Sequence, residues 1–381
     1  MLNKSLARSI SLLLLLFFSI NAHCVESIDD RLSQLLRSKD YLLLDAELNF
    51  LVKKYQEDFK GERELDIALD SFYRADPLLQ TFYDEWINKQ SNSAVAYLAR
   101  GIYFTKMGWS SRGSKYISET KKEQVDGMKF YFEKAINDFE KAKILNKNLV
   151  HIYCYEMEIY MALGSKAKIA PLKELALKIN PYSLTARTYY LSSLLPRWGG
   201  SVIEMENEIS LAKPFYTKNK KLEILNGRVF SELGDQELLK GNYQDSLNYY
   251  NQAVKSGDYW FYYGMRGEAY TNLNNMPMAI SDLENAVKLR PNYPHANALL
   301  GFNYAKKQDL RTAIYYLSRA LSAEPNDSFS LDLRGVCNMN MGNYQDALDD
   351  FSKALELNPA SMTYMQHRDL AKEAIRSMKF N

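Results

Sequence analysis

Between Trp260 and Pro359, small and large apolar positions return every 34 residues. Ala279, Ala313 and Ala347 form one column, and Ala286, Ala320 and Ala354 a second. Gly267, Gly301 and Gly335 form a third, and Pro291, Pro325 and Pro359 a fourth. Leu283, Leu317 and Phe351 add a large apolar column in phase. Tyr270 and Tyr304 start another that Asn338 breaks. This pattern predicts two amphipathic helices per period. One helix with a single apolar stripe cannot bury it alone, so helices pair and pairs stack. The glycines leave room for the partner helix, with Ala279, Ala313 and Ala347 opposite them. Ala286, Ala320 and Ala354 face the next pair. Each proline disfavours helical geometry at the residue before it and ends the second helix. Asn292 and Asn326 then suit the caps of the helices that follow.

The period continues upstream with decay. GNYQDSLNYYNQA at 241–253 closely matches GNYQDALDDFSKA at 342–354, and Gly234 takes the small site of the partner helix. Ala135, Phe139 and Ala142 repeat the second-helix pattern, with Gly101 and Phe104 on the first and an inserted loop at about 108–127. Tyr153, Tyr160, Gly164, Ala176 and Pro181 outline another unit. Residues 183–195 and 201–212 outline one more, joined by Pro196-Arg197-Trp198-Gly199-Gly200. Residues 27–89 are helical in period but weak in these columns. Residues 362–378 read as one amphipathic helix that caps the last pair.

The columns resemble the tetratricopeptide repeat, a helix–turn–helix unit of 34 residues. The departure is at the family's early Trp, held here by Tyr263, Asn297 and Leu331, and Asn297 should weaken packing in its repeat. The resemblance implies an all-α, right-handed solenoid whose inner face, lined by first helices, binds a protein or peptide. In register those inner positions are Phe261, Gly264 and Glu268, then His295, Ala298 and Phe302, then Phe329, Asp332 and Val336. The chaperone-tail variant of the family needs Lys and Asn where Gly264 and Glu268 stand, so an acidic C-terminal tail is not the implied ligand. A second resemblance rests on GWSSRGSKY at 108–116 and LLPRWGGS at 194–201. These are similar to segments of a bacterial domain of unknown function that precedes such repeats, over roughly 25–215. It implies no activity. Trp109, Arg112, Lys115 and Tyr116, with Arg197 and Trp198, either form a binding loop or anchor their turns on neighbouring helices.

The chain therefore divides into 1–24, a helical domain over 25–215, and repeats with a capping helix over 216–381. In the first segment, Lys4 and Arg8 precede an apolar run at 10–20, and Ala22 and Cys24 stand at −3 and −1 before Val25. That is the pattern of a cleaved secretory signal, so the mature chain is expected outside the cytoplasm, in a bacterial periplasm. A lipid anchor on Cys24 fits less well, because His23 stands where the motif wants a small residue.

Composition adds exclusions. The 381 residues carry 48 basic and 46 acidic side chains, and loss of Lys4 and Arg8 leaves the mature chain at zero net charge. A neutral chain lacks the basic surface that counterion release requires, so no nucleic-acid partner is expected. No second apolar run would span a bilayer. Cys154 and Cys337 fall in distant repeats, which argues against a disulfide and for buried thiols. His151, His295 and His367 also fall in separate units, so no metal site and no cofactor is expected. GWSSRGSK lacks Lys directly after its second glycine and is no phosphate loop. No nucleophile–base set stands out, so no catalytic residue is assigned. The reading is an exported, non-enzymatic scaffold. The alternatives are a hydrolase-like site in the N-terminal half, or a protein that neutralises a secreted effector. The stacked pairs are expected to leave their curved face free, with the two ends of the chain apart.

Overall fold

The computed structural model describes residues 27–113 and 119–378. The targeting segment, Cys24, Lys115 and Tyr116 lie outside the described residues. Among the described residues, regular structure is nineteen α-helices and short 3-10 turns, without strands. Four helices come first: α1 Ile28–Arg37, α2 Tyr41–Glu57, α3 Glu62–Asp70 and α4 Gln80–Lys89. Seven pairs follow. They are α5 Ala94–Arg112 with α6 Lys122–Leu145, α7 Val150–Ala162 with α8 Ile169–Ile179, and α9 Leu184–Ser193 with α10 Val202–Ala212. Then come α11 Gly227–Leu239 with α12 Tyr243–Lys255, α13 Trp260–Asn272 with α14 Met276–Leu289, α15 Pro294–Lys306 with α16 Leu310–Ala323, and α17 Ser328–Asn340 with α18 Tyr344–Leu357. The capping helix is α19, Met362–Met378.

The glycine column works by close approach to the large column. A Cβ on Gly267, Gly301 or Gly335 would lie 2.7, 2.4 or 2.5 Å from Leu283, Leu317 or Phe351. Those three side chains, and Ala279, Ala313 and Ala347, are fully buried or nearly so. The large residue thus fills the space that the glycine opens, and the small Ala lets the two backbones stay close.

Two local expectations need correction. Asn292 does not cap α15, which opens on Pro294; its amide instead donates to the carbonyl of Asp70 at 3.1 Å. Asp327, not Asn326, caps α17 by accepting from the N–H groups of Phe329 and Ser330. The loop over 108–127 is also shorter than expected, because α5 runs on to Arg112 and α6 begins at Lys122. The extra residues mainly lengthen these two helices, with Gly108 tight against Phe132. Asn297 is buried, and its amide donates to the carbonyls of Pro291 and Tyr293 at 2.9 and 2.8 Å, so it ties down the turn before α15.

The largest departure concerns α1 to α4. α4 packs on α5, where Tyr83 stacks on Tyr103 at 4.9 Å, but α1 to α3 do not extend the stack; they fold back across the loops that join one pair to the next. Gln56 donates to the Asn148 carbonyl before α7, and Asn180 before α9 donates to the Tyr55 hydroxyl at 2.8 Å. On the far side, Arg290 grips Asp70 with two bonds of 2.6 and 2.8 Å. The Ala75 N–H donates to the Ala323 carbonyl at 3.0 Å, and Arg74 donates to Ser322. Arg319 reaches Asp29 at 3.2 Å and Asp30 at 3.0 Å. Lys106 of the first pair meets Glu324 at 2.5 Å. The superhelix therefore comes round on itself. Its inter-pair loops form a rim, and α1 to α3 sit within that rim. The expectation that the ends stay apart and the curved face is wholly free is overturned. Buried carboxylates in the N-terminal helices need partners, and distant arginines supply them for Asp29 and Asp70.

Candidate functional site: the inner face of the solenoid

The inner face is built from the first helix of each pair. Counting along those helices from α7 onward, the second residues are His151, Thr185, Arg228, Phe261, His295 and Phe329. The ninth are Glu158, Ser192, Asp235, Glu268, Phe302 and Val336. Second and ninth residues lie about two turns apart, so they share one stripe.

In the C-terminal pairs the ninth residue of one helix meets the second residue of the next. Glu268 accepts from His295 at 2.8 Å, and Phe302 lies 6.3 Å from Phe329, centroid to centroid. Asp332 is held by His367 of the capping helix at 2.7 Å. These five sequence candidates therefore form one strip. Phe261 is set apart, beneath the Arg228 guanidinium at 5.4 Å. Phe329 is 46% exposed and His295 is exposed beside it. Burial disfavours charge on His295, but its hydrogen bond to Glu268 and that carboxylate's charge prevail and hold its pKa above the usual value.

The two other motifs converge although 85 or more residues separate them. The Trp109 and Trp198 rings meet edge to face at 5.9 Å. The Arg112 guanidinium sits 5.4 Å from one ring and 5.7 Å from the other. Trp109 Nε1 donates to Glu158 at 2.6 Å, and the Tyr73 hydroxyl donates to the same oxygen. Burial pushes the Glu158 pKa up against the pull of both donors. Arg197 points elsewhere, to Asp235 at 3.7 Å. Burial pushes the Asp235 carboxyl to about 6 although Tyr250 and Arg197 favour its charge.

At the rim the inner face is already occupied, which sequence reasoning missed. Helix α3 presents Glu62, Asp66 and Asp70 at four-residue spacing, one face of a helix. Glu62 accepts from the Ser183 hydroxyl and from the N–H groups of Leu184 and Thr185, at the start of α9. Asp66 accepts from Thr185 at 2.8 Å and pairs with His151 at 2.8 Å. Asp70 takes Arg290. The three described histidines thus each sit on a carboxylate. The four-residue acidic spacing was visible in the sequence, but its partners lie far away along the chain. Among the described residues no cluster of His, Cys, Asp or Glu is arranged to hold a metal ion. Cys154 and Cys337 are free, buried thiols.

Models of the tetratricopeptide repeat match residues 262–293 and 333–361. The chain carries tetratricopeptide repeats. Both matched segments lie in the C-terminal half. An SGT1 homolog of Bos taurus is 38% identical over 64 residues, 17% of this chain and 19% of that protein. A tetratricopeptide repeat-containing protein of Methanocaldococcus jannaschii is 23% identical over 261 residues, covering 63% of this chain and 44% of the relative. The chain spans less than half the length of the curated relatives it matches. Among solved structures, MamA aligns with a TM-score of 0.35 at 21% identity, over 38% of this chain and 90% of its own. YrrB, described as a tetratricopeptide-repeat protein with an unusual peptide-binding site, aligns at 0.33 and 17% identity, over 61% and 97%.

Proposed function

We propose that this protein is an exported, non-catalytic scaffold that holds a segment of a protein partner on the inner face of its last three repeats. The observation that supports this most is the strip of Glu268, His295, Phe302, Phe329 and Asp332, with Phe329 46% exposed beside a second aromatic ring. An exposed ring beside a half-buried one, next to a carboxylate–imidazole pair, suits an extended peptide of mixed character, whose backbone and apolar side chains need both kinds of contact. The rim end is closed by α1 to α3, so the partner enters from the other end of the inner face. Export follows from the apolar run at 10–20 and the small residues before Val25.

A photo-crosslinking residue at Phe329 tests the site in the native host. The outer, 77% exposed Ile144 of α6 serves as the control position. One dominant adduct at 329, lost when Phe302→Ala is added and absent at 144, is the expected result. Equal labelling at both positions would remove the site. Export is checked separately by N-terminal sequencing of the purified protein; a retained Met1 would refute cleavage.

A further inference from the structure

A cavity of about 500 Å³ lies beneath α3, between that helix and the rim. Its size falls in the range of sites for small organic ligands. One wall is apolar and aromatic: Leu184, Tyr189, Ile224, Tyr259 and Trp260. The opposite wall is the acidic face of α3. Of its three carboxylates, Glu62 is saturated by four donors, from Tyr55, Ser183, Leu184 and Thr185, and Asp70 by the Arg290 fork. Asp66 differs. Each of its oxygens holds one partner, His151 or Thr185, and its side chain is 36% exposed while lining the cavity. A carboxylate oxygen can accept more than one hydrogen bond, so Asp66 keeps acceptor capacity directed at the empty space. The local field also favours a cation. Burial, with Asp66's charge added to it, drives the neighbouring Glu62 carboxyl up to about 7. The Trp260 ring already holds the Arg290 guanidinium at 4.3 Å, which leaves the Tyr189 and Tyr259 rings of that wall to attract a ligand cation through their quadrupoles. Arg63, Lys220 and Lys221 are exposed on the lining, and so are Glu223 and Asp258, so the mouth of the cavity carries both signs of charge. Asp66 alone of the three α3 carboxylates has acceptor capacity to spare, which fits one ammonium group.

We infer that this cavity binds a small organic monoamine, whose ammonium group donates to Asp66 while its apolar body lies against Tyr189, Tyr259 and Trp260. This site is at the closed end of the inner face, and its occupancy is independent of the peptide strip at Phe302 and Phe329.

Calorimetry on the full-length protein tests it with three probes of one shape: phenethylamine, the neutral 2-phenylethanol and the anionic 3-phenylpropionate. Charge-assisted hydrogen bonds are roughly twice as strong as neutral ones, so phenethylamine should bind at least about tenfold tighter than the alcohol. The acid should bind weakest. Asp66→Asn keeps an acceptor for Thr185 and should erase the preference for the amine with little change in melting temperature. The comparison of the three probes on the unaltered protein stands even where that variant fails to fold. Equal binding of amine and alcohol, tighter binding of the acid, or no heat from the amine at millimolar concentration would each overturn the proposal.

Discussion

At the scale of single residues, the packing columns were legible because their physics is local. Gly301 and Leu317 are 16 positions apart, on two helices joined by one turn, and their complementarity repeats at Gly335 and Phe351. Ala313→Phe should overpack this contact and destabilise the protein by about 1–3 kcal/mol, read from the denaturation midpoint. Leu317→Ala, which leaves a cavity at a fully buried site, should cost about 2–5 kcal/mol. An unchanged midpoint in either variant would contradict the assigned register. The acidic face of α3 was not legible in the same way. Its carboxylates find partners 85, 121 and 220 positions away, and no periodicity encodes such distances.

Buried acids also set a pH dependence. Burial is the main cause that raises Asp29 to about 6, Glu62 to about 7 and Asp235 to about 6, all above their unfolded values near 4. These groups hold their protons more tightly when folded. Their contribution to stability is full below about pH 4 and is lost as pH rises through about 6 to 7. Asp235→Asn keeps an acceptor for the Tyr250 hydroxyl but cannot ionise. Its melting temperature should therefore gain on the parent between about pH 4 and about pH 6. A gap that widens in the parent's favour over that interval would refute the claim.

At the scale of elements, the capping helix α19 and the seven pairs follow the sequence pattern, whereas the role of α1 to α4 does not. Helical period alone says that those residues form helices; it does not say where they dock. Toward the earlier pairs they share an apolar core, with Phe59 against Tyr182 and Tyr73 against Tyr155, but their docking on the later repeats is polar, resting on Arg290 with Asp70, Arg319 with Asp29 and Asp30, and Arg74 with Ser322. Removing one member of such a buried pair leaves the other uncompensated. Arg290→Ala should speed hydrogen exchange of α3 by about tenfold or more, while α17 and α18 remain protected. Exchange that rises uniformly over the chain would mean that the N-terminal helices are not a separately held element. Asn292 illustrates the same lesson at one position: its sequence context suited a helix cap, but tertiary contact with α3 claimed its side chain.

At the scale of the whole molecule, the stack of pairs turns far enough for its first pair to meet the loop before its last. That closure divides the inner face into a rim filled by the chain itself and a strip left for a partner. A free solenoid would offer the entire curved surface, and it would do so without the carboxylate–arginine contacts that bind the two halves. The site residues in the last repeats were legible because the repeat register points them inward. Their limited extent was not, because it depends on what α1 to α3 cover. Zero-length carbodiimide coupling of lysine to carboxylate is the most direct test of this closure. Lys54 with Glu64 and Lys39 with Glu85 are internal controls within the N-terminal helices. The closed form predicts a Lys106–Glu324 crosslink within single molecules, alongside both controls. Recovery of the controls without any Lys106–Glu324 product would show that the superhelix does not close on itself.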